Sequence, residues 1–110
     1  MAEESVFCEC PHLGVPVELT AERQLHIAAV HPSLLPEHID RVIETLREPD
    51  FVGSRAGRGE RGFCRYWQDV EGGRSIVVVV VGSPHSGTGA MRYWVVTAYI
   101  ARSTRTWVPL

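Results

Sequence analysis

The chain has 110 residues, which is the length of one domain and enough to bury a hydrophobic core without disulfides or metal ions. The formal net charge is −2 and is unevenly spread: residues 1–50 hold ten acidic residues and three arginines, whereas residues 51–110 hold eight arginines and three acidic residues. A local basic patch steers a charged ligand more than the total charge does. We therefore expect no second domain, and the net charge does not exclude a nucleic-acid partner.

The basic residues are all arginine, and the sequence contains neither lysine nor asparagine. A planar guanidinium suits bidentate binding of phosphate or carboxylate, although a GC-rich genome explains the same bias equally well. Residues 1–5 show no basic segment leading into an apolar run, which predicts no signal peptide, no membrane partner and a cytoplasmic protein. In that compartment we expect the three cysteines to be reduced thiols.

Residues 1–14 are predicted to form an irregular arm, because prolines and a glycine interrupt them. Residues 15–19 predict at best a short strand, which a proline confines to the edge of a sheet. The spacing Cys8-x-Cys10-x-His12 suggests zinc, but a structural zinc site takes four ligands and the sequence offers no second pair. We therefore predict no metal and no cofactor.

Two helices are predicted next. Thr20 is a good N-cap, and the first helix runs over residues 21–30 until Pro32, since the residue before a proline avoids the helical region. The second helix covers residues 36–47, where apolar residues recur with the period of an amphipathic helix. These apolar residues are Ile39, Val42, Ile43 and Leu46. We expect the two helices to form a hairpin laid on a sheet.

The central strand is predicted from residues 76–81, which are six consecutive β-branched residues. A strand with one face in water would alternate apolar and polar residues, so this run predicts a strand buried on both faces. Three other strands are predicted, over residues 51–54, 62–70 and 91–100. Short links between them imply antiparallel pairing. The sequence thus predicts an α+β domain over residues 15–102, a two-helix hairpin packed on a four-stranded antiparallel sheet, with a frayed tail over residues 103–110.

Four arginines fall on one predicted hairpin that contains glycines: Arg55, Arg58, Arg61 and Arg65. A flexible loop of this kind can cradle phosphates, which makes Arg55, Arg58 and Arg61 substrate-binding candidates, although a solvated turn is the alternative. Tyr66 follows directly and offers a ring for stacking on a base.

Several other residues suit the cleavage of RNA without a metal ion. His26 lies on the first helix and His31 at its end, while Thr97 and Tyr99 lie on the last strand. In such cleavage a base takes the proton of the 2′-hydroxyl, whose oxygen then attacks the neighbouring phosphate. An arginine stabilises the added negative charge, and an acid protonates the departing oxygen.

The order and spacing of several short motifs resemble the phage- and toxin-associated nucleases of the Barnase–EndoU–colicin–RelE-like group. Between residues 17 and 102 the motifs are Leu19-Thr20-x-Glu22-Arg23-x-x-His26-Ile27-x-x-x-His31-Pro32, Leu46-x-x-Pro49-Asp50-x-Val52, Arg65-Tyr66, a valine strand and Thr97-Ala98-Tyr99. The resemblance implies two helices followed by a four-stranded antiparallel sheet, and a ribonuclease activity. The active-site positions that it implies are His26, His31, Arg65, Thr97 and Tyr99. Gln24, where we expect a tryptophan, and Ser33, where an acid commonly follows His-Pro, depart from the pattern.

Two hypotheses follow. The first is a metal-independent endoribonuclease of toxin or phage-derived type, with RNA as its substrate and an antitoxin protein as a partner to be sought. The second is a catalytically silent protein of the same fold that binds a phosphate-bearing ligand or another protein. The first hypothesis predicts that His26, Arg65, Thr97 and Tyr99 meet in one cleft, beside the arginine hairpin.

Overall fold

The computed structural model describes residues 4–55, 59–85 and 87–110. In these ranges the chain forms two helices and seven strands: β1 (Val6–Cys8), β2 (Val17–Leu19), α1 (Ala21–Val30), α2 (Ile39–Arg47), β3 (Phe51–Ser54), β4 (Arg61–Trp67), β5 (Arg74–Pro84), β6 (Met91–Ala101) and β7 (Val108–Pro109). Neither described helix has the length and apolar character needed to cross a membrane.

The strands form one mixed sheet in the order β1-β2-β6-β5-β4-β3-β7. Strands β3 to β6 pair antiparallel with their sequence neighbours, but β2 pairs with β6 in parallel. The α+β class agrees with the sequence analysis, and the expected four-stranded antiparallel sheet is wrong. Three strands of two or three residues extend the sheet, and segments this short carry too little alternation to be recognised from sequence.

The segment predicted to be an edge strand lies inside the sheet. Strand β2 pairs with β1 on one side, through Val6 opposite Leu19, and with β6 on the other, through Val17 opposite Tyr93. Pro16 precedes the first strand residue, so it removes no donor from either ladder. The outer positions are taken by β1, from the predicted arm, and by β7, from the predicted tail.

Strand β5 is the centre of the core, and residues 76–80 are buried on both faces of the sheet as the valine run predicts. On one face Ile76, Val78 and Val80 join the core beneath the two helices. On the other face Val77 and Val79 pack with Trp107. We call the face that the helices do not cover the open face.

Helix α1 begins and ends where its sequence signals predict. The Thr20 hydroxyl oxygen accepts a hydrogen bond from the Arg23 backbone N–H at 3.1 Å, which satisfies one of the free donors of the first turn. The buried Gln24 amide donates to the carbonyl oxygens of Glu4 and Leu19, at 2.9 and 3.2 Å. Gln24 therefore ties the N-terminal segment to α1 through polar bonds that a tryptophan could not make in the same way.

Candidate active site on the open face

A β-bulge in β6 decides which side chains reach the open face. Thr97 lies opposite Val79, whereas Val95 lies opposite Val80, so Val96 has no partner on β5. The extra residue lets Val95 pack in the helix-side core while Thr97 and Tyr99 occupy the open face, because side chains alternate along a strand. The alternation predicted for Thr97 and Tyr99 is confirmed, and Ala98 between them faces the helices.

His31 lies against Tyr99, with 6.2 Å between the ring centroids and an angle of 39° between the rings. His31 is the C-cap of α1, and its backbone N–H donates to the Ile27 carbonyl at 2.7 Å. Strand β2 pairs with β6 only at Tyr93 and Trp94. Further along the same edge of β6, the end of α1 lies beside the strand. Both rings are partly exposed, so a ligand on this edge could reach them.

Tyr99 also accepts a hydrogen bond from the C-terminal segment. The indole N–H of Trp107 donates to the Tyr99 hydroxyl oxygen at 2.9 Å, and Trp107 itself is only 2% exposed. The indole fits because β3 and β4 carry glycines beneath it. A Cβ on Gly53 would lie 2.9 Å from the Trp107 Cβ, and one on Gly62 would lie 2.7 Å from the Trp107 Cε2. The ring thus lies directly on the backbone of the sheet.

Arg65 lies on the opposite face from Tyr99. It pairs with Ile76 on β5, and its guanidinium carbon lies 4.3 Å from the centre of the Trp67 ring. The guanidinium is also 3.6 Å from a Glu44 carboxylate oxygen and donates to the Glu48 carbonyl at 3.1 Å. The expectation that Arg65 shares one cleft with Tyr99 is therefore wrong, because strand register places the two side chains on different sides of the sheet.

His26 does not join the His31–Tyr99 pair. Five residues along a helix correspond to a rotation of about 140° between the two histidine side chains. His26 is exposed, and within the described ranges it makes no hydrogen bond, ion pair or ring contact. From the predicted set, the structure thus places His31 against Tyr99 and Thr97 on the same strand face as Tyr99, and leaves His26 and Arg65 apart.

The described arginines of the predicted hairpin do not present one basic surface. Arg55 forms an ion pair with Glu60 at 2.5 Å, and its guanidinium carbon lies 4.2 Å from the Trp107 ring centre. Arg61 lies opposite Val80, on the helix side of the sheet, and Arg58 lies outside the described residues. Tyr66 is 55% exposed and shares the open face with Cys64, so it remains available for stacking on a base.

Sequence reasoning missed two residues at this site. Arg23 donates from its guanidinium to the Val96 carbonyl at 3.3 Å, which places its charge at the bulge beside Thr97. Arg23 is a fixed position of the first motif of the resemblance, but the motif gave it no role at the site. Trp107 was assigned to a frayed tail, but glycines inside two strands indicate a close approach by another group, and the indole is that group.

The three cysteines are buried in the core. Burial raises the pKa of the Cys8 thiol to about 11, with a smaller contribution from neighbouring Cys10. Burial likewise raises the pKa of Cys64 to about 11, and the charge of Asp50 adds to the shift. These thiols stay protonated near neutral pH, and a protonated thiol is a poor nucleophile. No three potential metal-binding side chains converge in the described part of the chain.

The site that emerges is the edge of the open face where His31 lies against Tyr99, which Trp107 supports. Thr97 lies on the same strand face as Tyr99, next to the bulge that Arg23 contacts. The resemblance to a nuclease group remains a prediction. Comparison of the chain with protein-family models, with curated proteins and with solved structures finds no match.

Proposed function

We propose that the chain is a metal-independent endoribonuclease whose active site is His31, Thr97 and Tyr99 at the edge of the open face. The observation that carries this proposal is the contact between the His31 and Tyr99 rings, 6.2 Å apart by centroid. Imidazole is the side chain best suited to exchange protons near neutral pH, and a phenol can both donate and accept a hydrogen bond. Two proton-transfer groups therefore lie side by side where a ligand can reach them.

In the proposed reaction His31 removes the proton of a ribose 2′-hydroxyl. The 2′-oxygen then forms a bond to the adjacent phosphorus as the bond from phosphorus to the 5′-oxygen breaks. Tyr99 gives its hydroxyl proton to the departing 5′-oxygen. The products are a 2′,3′-cyclic phosphate and a 5′-hydroxyl end, and solvent restores the two protonation states.

The proposal assigns charge stabilisation to groups beside the bulge. The Thr97 hydroxyl is oriented to the same face as Tyr99 and can donate to a non-bridging phosphate oxygen. A cation beside the bulge is Arg23, whose guanidinium donates to the Val96 carbonyl at 3.3 Å and pairs with Glu22 at 3.2 Å. In this proposal Arg23, and not Arg65, stabilises the added negative charge, because Arg65 lies on the opposite face of the sheet from Tyr99.

The test is to incubate the purified chain with mixed single-stranded RNA in excess chelator and to identify the ends formed. We expect 2′,3′-cyclic phosphate ends. His31→Ala and Tyr99→Phe should each lower the cleavage rate by about 100-fold or more, which is the range for losing a proton-transfer group. The matched control is His85→Ala, at an exposed loop histidine away from this edge. Equal rates in the wild type, His31→Ala and Tyr99→Phe would contradict the proposal.

The second candidate is a binding protein without catalysis, and one observation favours it. Tyr66 is 55% exposed on the open face. The Arg92 side chain pairs with Glu18 at 2.7 Å and lies over the Trp94 ring, yet it is also 55% exposed. Such a surface can hold a ligand by stacking without performing chemistry. RNA that binds but stays intact would support this candidate over the nuclease.

A further inference from the structure

The C-terminal segment crosses the open face and reaches the far side of the sheet. It leaves β6 at Ala101 and ends as β7, which pairs with β3 through Ser54 opposite Val108. The Leu110 backbone N–H then donates to the Val52 carbonyl at 2.9 Å. Because β5 and β4 lie between β6 and β3, the segment spans the strands that form the floor of the open face.

Trp107 lies at the middle of this crossing. Its ring is buried against the strand glycines, and its indole N–H has the Tyr99 hydroxyl oxygen as its acceptor. Leaving a buried indole N–H without an acceptor is unfavourable, so this hydrogen bond fixes the two side chains relative to each other. The contact therefore does more than fill space above the sheet.

The direction of the hydrogen bond determines where the phenol proton can go. A phenol oxygen has one proton to donate and lone pairs that accept. When the Trp107 N–H occupies a lone pair of Tyr99, the phenol proton must point elsewhere and is free for another acceptor. A donor aimed at that oxygen also stabilises the negative charge that develops as the proton leaves. Both effects favour Tyr99 as a proton donor.

We propose that Trp107 is a positioning residue, which holds the Tyr99 hydroxyl with its proton directed toward the substrate and stabilises the oxygen as the proton is transferred. The inference rests on the proposed ribonuclease function, since it needs Tyr99 to act as the acid. It assigns to the C-terminal segment a role in the reaction, in addition to its role in covering the sheet.

The primary test compares Trp107→Phe with a matched variant. Trp107→Phe keeps an aromatic ring and removes the N–H donor. The control is Trp67→Phe, which removes an indole N–H that donates to the Thr45 hydroxyl at 3.1 Å on the helix side of the sheet. We expect both variants to lower Tm, whereas Trp107→Phe alone lowers kcat, by about 10-fold or more, with KM changed less than about twofold.

A double-mutant cycle shows whether Trp107 acts through Tyr99. In a Tyr99→Phe background the phenol oxygen is gone, so adding Trp107→Phe should lower kcat no further. A structural readout accompanies the kinetics: Tyr99→Phe should move the indole N–H proton resonance of Trp107 and leave that of Trp67 in place. Should Trp107→Phe fail to fold, benzothienylalanine at position 107 keeps the ring shape and replaces the N–H with sulfur, and the same loss of kcat is expected.

Each of the other outcomes overturns either the positioning role of Trp107 or the proposed ribonuclease function. If the wild type cleaves RNA and Trp107→Phe lowers Tm but not kcat, Trp107 is structural only and the ribonuclease proposal stands. If Trp107→Phe lowers kcat equally with and without the Tyr99 hydroxyl, Trp107 does not act through Tyr99. If the wild type cleaves no RNA although the Trp107 resonance responds to Tyr99→Phe, the hydrogen bond exists but the proposed function fails, and the positioning role fails with it.

Discussion

Arg65 and Tyr99 lie on opposite faces of one sheet, although only β5 separates their strands. Arg65 is opposite Ile76, which packs beneath the helices, whereas Tyr99 is opposite Val77, which packs with Trp107. Adjacent positions on β5 point to opposite faces. A phosphate bound beside Tyr99 is therefore shielded from Arg65 by the thickness of the sheet.

We predict that removing the charge of Arg65 affects stability and spares activity. Arg65→Met keeps most of the aliphatic stem but loses the stack on Trp67 and the ion pair with Glu44. Because these contacts are partly exposed, we expect a loss of about 1–2 kcal/mol in the free energy of unfolding. Urea unfolding measures the loss, and RNA cleavage should stay within about twofold of the wild type. A folded variant that cleaves 100-fold more slowly would return Arg65 to the active site.

The two histidines of the predicted site should differ sharply. His31→Ala removes the imidazole beside Tyr99, whereas His26→Ala removes an exposed side chain that makes no described contact. We expect at least about a 100-fold loss of cleavage rate for His31→Ala and less than a threefold change for His26→Ala. Initial rates on one RNA under saturating conditions give the comparison. The reverse ranking would show that the α1 face carrying His26 binds the substrate.

Local signals in the sequence were sufficient for the elements that carry them. The bounds of α1 follow from the Thr20 cap and from Pro32, and the burial of β5 follows from its unbroken β-branched run. Helix α2 begins at Ile39, three residues later than Pro36 suggests, because residues 32–38 form turns instead of a regular helix. This error at the start of α2 does not change the arrangement of the helices and central strands.

Which residues share the site depends on the register between strands, and local sequence signals do not predict that register. The bulge at Val96 reverses the facing of the residues that precede it, and no residue in that stretch marks the position of the bulge. The pairing of β4 with β5 then puts Arg65 on the helix side. Thr97 and Tyr99 could be predicted to share a face because they lie on one strand. Whether Arg65 shares that face depends on two strand pairings, β4 with β5 and β5 with β6. Trp107 was missed because its partners, Gly53 and Gly62, lie more than 40 residues away in the sequence.

We predict that the protein loses stability in alkaline solution through its buried thiols. Cys8 and Cys64 have folded-state pKa values raised to about 11, above the ordinary value of 9.0 that applies when the chain is unfolded. Between about pH 9 and pH 11 the unfolded chain releases protons that the folded chain retains, so unfolding becomes easier as the pH rises. Their stabilising contribution is fully present below about pH 9 and is lost toward pH 11, at about 1.4 kcal/mol per pH unit for each thiol.

Urea unfolding at intervals of half a pH unit measures this slope. Cys64→Ala should make the slope shallower by the share of one thiol, whatever its effect on stability at neutral pH. The same slope in the wild type and in Cys64→Ala would show that this thiol does not control the alkaline transition. A thiol-reactive probe at pH 8 provides a second check, since the buried groups should react only after unfolding.

The last prediction concerns the space beneath Trp107. In Gly62→Ala the added Cβ would overlap the indole, at 2.7 Å from Trp107 Cε2, so the ring must shift or the backbone must move. We expect the free energy of unfolding to fall by about 1–3 kcal/mol, the usual cost of overpacking a core. The indole N–H would also move from the Tyr99 hydroxyl, so cleavage should fall together with stability. In a Trp107→Ala background the obstacle is absent, and Gly62→Ala should then cost less than about 0.5 kcal/mol, because exchanging glycine for alanine in a strand is otherwise mild. If Gly62→Ala is equally costly with and without the indole, the strain comes from the strand backbone and the indole does not set the requirement for glycine at this position.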